Sequence, residues 1–113
     1  MRLALLHEDK SKEWLGVDFD GTMSVYDRFK GNNHVGPPIP KMINRIKRWL
    51  SDGENVKVFT ARADSEVARK AIRIFCKKHI GKILPITNKK DKYMKRLYDD
   101  RAEKVAKNSG EIL

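Results

Sequence analysis

Apolar Leu15, Val17 and Phe19 alternate with Gly16 and Asp18, and this period of two predicts a strand over residues 14–19. A glycine turn follows at Gly21. Met42, Ile43, Ile46, Trp49 and Leu50 then recur at helical spacing, with Pro40 suited to the helix start and Asp52-Gly53 to its end. Val56–Thr60 reads as a second strand. Asp64 or Ser65 is suited to cap a second helix whose apolar stripe is Val67, Ala71, Ile72, Phe75 and Cys76. Residues 83–87 predict a third strand, and Pro85 assigns it to a sheet edge. A helical turn near 90–94 leads to a fourth strand, Arg96-Leu97-Tyr98, which ends at Asp99-Asp100. Two further short strands are predicted over residues 2–7, pairing with 14–19, and over 103–107. Strands alternating with helices predict an α/β fold: a three-layer, Rossmann-like, mostly parallel sheet with helices on both faces.

The 113 residues are expected to form one domain over 1–113. Twenty-five lysines and arginines against 15 acids leave a formal charge of +10, which favours polyanionic partners. The basic residues are dispersed, however, and solvation of helix faces explains them equally well. Cys76 is the single cysteine, which excludes an internal disulfide and fits a reducing, cytoplasmic setting. It falls in an apolar row, as a buried structural thiol does. Leu3-Ala4-Leu5-Leu6 is too short for a signal-peptide core, and nothing approaches a membrane span. His7, His34 and His79 lack metal-ligand spacing, and Trp14 and Trp49 read as packing residues.

Chemistry enters at the strand ends. In a parallel sheet these ends share one edge, where Asp18, Asp20, Thr60, a lysine from 89–92, Asp99 and Asp100 converge. So many carboxylates repel one another unless a cation lies among them. A hard divalent ion with oxygen ligands, Mg²⁺, resolves that conflict and screens an incoming phosphate. Taken singly, an acidic pair such as Asp99-Asp100 is ordinary in a turn, because aspartate bonds its own backbone. The set in this order is what points to a site.

Asp18-Phe19-Asp20-Gly21-Thr22, Val58-Phe59-Thr60, a lysine and Tyr98-Asp99-Asp100 together resemble, in order, the four motifs of the haloacid dehalogenase-like (HAD) superfamily of phosphohydrolases. The resemblance implies an aspartyl-phosphate mechanism: Asp18 as nucleophile, Asp20 as general acid and base, and Thr60 and a lysine on the phosphoryl oxygens. Asn88-Lys89-Lys90-Asp91 favours Lys90 for that lysine, with Lys89 and Lys92 as alternatives. Mg²⁺ would be held by Asp18, the Asp20 backbone carbonyl and Asp99, with Asp100 binding directly or through water. Gly21, Thr22 and Arg62 would contact substrate, Arg62 as a bidentate donor or else as a plain surface arginine.

About fifteen residues separate Thr22 from Pro37, a loop rather than a cap domain, although a small hairpin over the site fits that length. A small capless member is therefore expected, its open site suited to a nucleotide or a phosphorylated nucleic-acid end. Asp99-Asp100-Arg101 also resembles the end motif of polynucleotide 3′-phosphatases and deoxyribonucleotidases. A second copy of the chain is an alternative source of a lid. The competing function is a basic nucleic-acid-binding module on the same scaffold, its catalysis vestigial.

Overall fold

The computed structural model describes residues 10–113. After a single 3-10 turn at Lys10–Lys12 come β1 (Trp14–Asp18), α1 (Pro40–Ser51), β2 (Asn55–Phe59), α2 (Glu66–His79), β3 (Ile86–Thr87) and β4 (Met94–Tyr98). The strand predicted over 2–7, and His7, lie outside the described residues. The strands form one sheet of order β3-β2-β1-β4, every pair parallel. This is the α/β, Rossmann-like class expected. β1 lies between β2 and β4 and is buried from Trp14 through Val17, as an interior parallel strand must be. Among the described residues no helix is long and apolar enough to cross a membrane.

Pro40 opens α1, where its missing N–H costs nothing. The Ser65 hydroxyl caps α2 by accepting from the Ala68 amide at 3.2 Å. Ile43 and Ile46 of α1 and Ile72, Phe75 and Cys76 of α2 join Val17, Val56 and Val58 in one apolar cluster. The β1–β2 register sets Val17 beside Val58 and Leu15 beside Val56, which identifies the sheet face involved. The layering therefore differs in detail from a sheet with helices on both faces: among the described residues both helices serve this one. Successive crossovers of the usual right hand toward the same sheet edge return on the same side. Trp14 points to the opposite face and is only 1% exposed. Its indole N–H donates to Asp91 Oδ1 at 2.9 Å, and the Lys57 ammonium lies 4.5 Å from its ring centroid.

Three local differences have simple causes. Val67 is 57% exposed, and the buried row of α2 is Ala68, Ile72, Phe75 and Cys76. That spacing of four, three and one is one helical stripe, and Val67 falls a residue out of phase with it. β3 keeps only two residues because Leu84 turns into the core and Pro85 has no N–H to pair, although its carbonyl accepts from Val58 at 2.8 Å. The predicted helical turn near 90–94 is a turn closed by Asp91, whose carboxylate accepts from the Tyr93 amide at 2.8 Å, so β4 begins earlier, at Met94. Over 103–107 there is no strand but a lone bridge, Val105 to Ile112, with both side chains exposed.

Candidate active site

β1 and β4 are adjacent and parallel, so their carboxyl ends deliver Asp18 and Asp99-Asp100 to the same edge. Ligand oxygens of Asp18, Asp99 and Asp100 all lie within 4.8 Å of one another. Gly21 makes that approach feasible. It adopts φ +88°, which L side chains avoid, and a β-carbon there would lie 2.6 Å from Asp100 Oδ2. Thr22 is buried between the acids. Its hydroxyl lies 3.3 Å from Asp18 Oδ2 and 3.3 Å from Asp100 Oδ1, and it accepts from the Asp100 amide at 3.2 Å. With one proton, this hydroxyl satisfies one carboxylate at a time. Asp99 in turn accepts from the Arg101 amide at 2.9 Å.

Electrostatics records the crowding. Burial pushes the Asp18 carboxyl up from 3.8 to about 7, reinforced by the Asp99 charge and by the hydrogen bond and charge of Asp100; Thr22 opposes the shift. An all-oxygen trio with uncompensated negative charge fits a hard divalent cation such as Mg²⁺. The Asp20 carboxylate stands outside this trio but lines the same cleft.

That cleft, about 510 Å³, is lined by Asp18, Asp20, Thr60, Arg62, Asp99 and Asp100, together with Tyr26, Phe29, Ala61 and Arg101. Thr60, just past the end of β2, is buried. Its amide is committed to the Thr87 carbonyl at 2.9 Å, and its hydroxyl accepts from the Arg62 amide at 3.2 Å. The hydroxyl proton is then the donor that Thr60 has left for a ligand.

Arg62 is occupied more fully than a surface arginine. Its Nη2 meets Asp20 Oδ1 at 3.1 Å. Its Nη1 donates to the carbonyls of Gly31, Asn32 and His34 at 3.3, 2.9 and 3.0 Å. The Arg62 side chain is 11% exposed and that of Asp20 25%. One guanidinium thus ties the second aspartate of the first motif to the loop that follows it. Asp20 Oδ2 makes no hydrogen bond among the described residues and is the oxygen left to act.

The lysines behave differently. Lys89, Lys90 and Lys92 are absent from the cleft lining, and Lys90 is exposed, without a hydrogen bond or ion pair among the described residues. The neighbours of this segment are engaged elsewhere: Asn88 donates to Asp64 at 3.2 Å, and Asp91 holds Trp14. The cations that do line the cleft are Arg62 and Arg101. Tyr26, Phe29 and Arg101 were not singled out as site residues from the sequence. Two aromatics three positions apart in a largely polar loop were the available signal. His79 packs against Phe75 with ring centroids 4.7 Å apart, and Trp49 against Tyr98 at 4.8 Å. Cys76 is a core thiol, pushed up to about 11 by burial.

Neither a protein-family model nor a curated protein matches the sequence. Among solved structures, the chain is similar to a conserved protein from Bacteroides thetaiotaomicron, with a TM-score of 0.59 and 23% identity over 78% of this chain and 75% of that one. At that identity the likeness shows a shared α/β fold.

Proposed function

We propose that the chain is a Mg²⁺-dependent phosphomonoesterase of the HAD type, working through an aspartyl-phosphate on Asp18. The observation that carries this reading is the trio Asp18, Asp99 and Asp100, within 4.8 Å, sharing one cleft with Asp20 and Thr60. An Asp18 carboxylate oxygen forms a bond to phosphorus as the ester P–O bond breaks. The leaving oxygen takes its proton from Asp20, whose Oδ2 is unengaged while Arg62 holds Oδ1. Asp20 then takes a proton from water as that water attacks phosphorus, releasing phosphate and restoring Asp18. Thr60 donates its hydroxyl to a phosphoryl oxygen, and Arg101 supplies positive charge at the cleft wall. Lys90 belongs to this reading by its motif alone, because it lies exposed on the segment after β3 and does not line the cleft. Asp18, Asp99 and Asp100, with the Asp20 carbonyl, would hold a divalent cation, which would supply positive charge against the phosphoryl oxygens.

The test is hydrolysis of a generic aryl phosphate with and without Mg²⁺, by the wild type and by Asp18→Asn. Turnover is expected only in wild type with the metal. Equal rates in the two proteins would sink the aspartyl-phosphate mechanism. Salt-sensitive oligonucleotide binding without turnover would instead identify a binding module.

A further inference from the structure

The loop between β1 and α1 carries two large aromatics that the core leaves out. Tyr26 is 46% and Phe29 62% exposed, whereas Trp14, Phe19 and Phe75 are essentially buried. Aromatic rings bring a large favourable burial to a fold, so two left in water within four residues point to something that covers them. Both line the cleft that holds Asp18 and Asp20. The loop is also pinned at both ends. At its base the Val25 amide donates to the Pro37 carbonyl at 2.9 Å. Gly36 there lies so close to the Val25 carbonyl that no β-carbon fits. Toward its far end Arg62 holds three carbonyl acceptors, from Gly31, Asn32 and His34. The rings therefore stand on an anchored support, which lowers the ordering cost of binding against them.

We propose that the leaving group is a nucleoside, its base lying against Tyr26 and Phe29 while its phosphate meets Asp18. The assignment rests on the phosphatase reading above. A base offers a flat π-face, which stacks on aromatic rings whatever its hydrogen-bonding edge. A bare sugar phosphate, all hydroxyls, finds little on this wall beyond the Tyr26 hydroxyl. The exposed guanidinium of Arg101 at the cleft, on a chain of net charge +10, favours a polyanion over a neutral peptide.

The experiment measures binding to Asp20→Asn, which keeps the Asp18, Asp99 and Asp100 trio but lacks the general acid, by titration calorimetry with Mg²⁺ present, so that turnover is suppressed. The ligands are mononucleotides, a 3′-phosphorylated oligonucleotide, ribose 5-phosphate and a phosphotyrosine peptide. The mononucleotide is expected to bind about tenfold or more tighter than ribose 5-phosphate. Adding Tyr26→Ala and Phe29→Ala should erase that ratio and leave ribose 5-phosphate within about twofold, whereas Tyr26→Phe should preserve it. The exposure of both rings leaves the core intact in these variants. An oligonucleotide that binds tighter than the mononucleotide, with a steep salt dependence, identifies the strand end as the source of the nucleoside; equal affinity identifies the free nucleotide. Equal binding of mononucleotide and ribose 5-phosphate overturns the proposal. So does a preference that survives loss of both rings, or tighter binding of the phosphotyrosine peptide. A dimer that dissociates when the rings are removed also overturns it, because the rings then belong to a contact between copies. If no phosphate ester is hydrolysed by wild type, the phosphatase reading fails while the binding comparison still decides the base site.

Discussion

Asp18 shows how one residue links chemistry to stability. Its carboxyl titrates near 3.8 in the unfolded chain and at about 7 in the metal-free fold, chiefly through burial and then through Asp99 and Asp100. Between those values the folded state keeps a proton that the unfolded state has lost. The associated stability is complete below about pH 4 and disappears as pH rises through about 7. Asp18→Asn carries no such charge. Metal-free, at pH 8, it is expected to melt about 5 °C above wild type, with the difference vanishing toward pH 4. Thermal melts across that range check it, and parallel pH profiles for the two proteins would refute it. Arg62 offers a different test. Lysine keeps the charge but cannot bridge Asp20 and three carbonyls at once. Arg62→Lys should lower kcat by about a hundredfold with KM little changed, because Asp20 is then misplaced rather than substrate unbound. Faster proteolytic nicking of the 31–34 loop in the same variant distinguishes positioning from direct contact with phosphate.

At the scale of elements, the turn after β1 matters more than its length suggests. Gly21→Ala faces both a left-handed backbone and the Asp100 carboxylate. The conformational cost alone is roughly 1–2 kcal/mol, a loss of about 5–10 °C in melting temperature. Displacement of Asp100 should also weaken Mg²⁺ binding. Ser65→Ala, which removes the α2 cap, costs about 1 kcal/mol and should leave Mg²⁺ binding untouched. Comparing the two variants by thermal melts and metal titration separates damage to the site from damage to the scaffold. The same scale explains which elements were legible. α1 announced itself through Pro40 and an unbroken apolar stripe, and its range follows from them. α2 was placed correctly, but its stripe was shifted because Val67 is as apolar as Ala68 is small, and only packing against the sheet selects the smaller residue. β3 shrank because the core claimed Leu84, a demand that no local pattern carries.

For the whole molecule, the prediction concerns the three carboxylates as a unit. Mg²⁺ should raise the wild-type melting temperature at pH 8, since a ligand that binds only the folded state stabilises it by mass action. Asp18→Asn and Asp99→Asn should each lose most of that rise. A rise of equal size in both variants would remove the trio as the metal site. The site draws on β1, β2, β4 and the β1–α1 loop, and its residues span positions 18 to 101. Several of its members were readable in advance for a physical reason: a parallel sheet sends every carboxyl end to one edge, so strand-terminal Asp18, Thr60, Asp99 and Asp100 converge whatever lies between them. The sequence by itself thus determined the α/β class, the mostly parallel sheet and the meeting of strand-end acids at one edge, all consequences of local periodicity and strand direction. Tertiary structure decided what depends on the path of loops through space. It turned Arg62 onto Asp20 and three carbonyls, left Lys90 outside the cleft and brought Tyr26 and Phe29 to its rim. Those contacts join residues about thirty to forty positions apart or more, where closing the chain is governed by the packing of the whole fold and no short-range pattern records it.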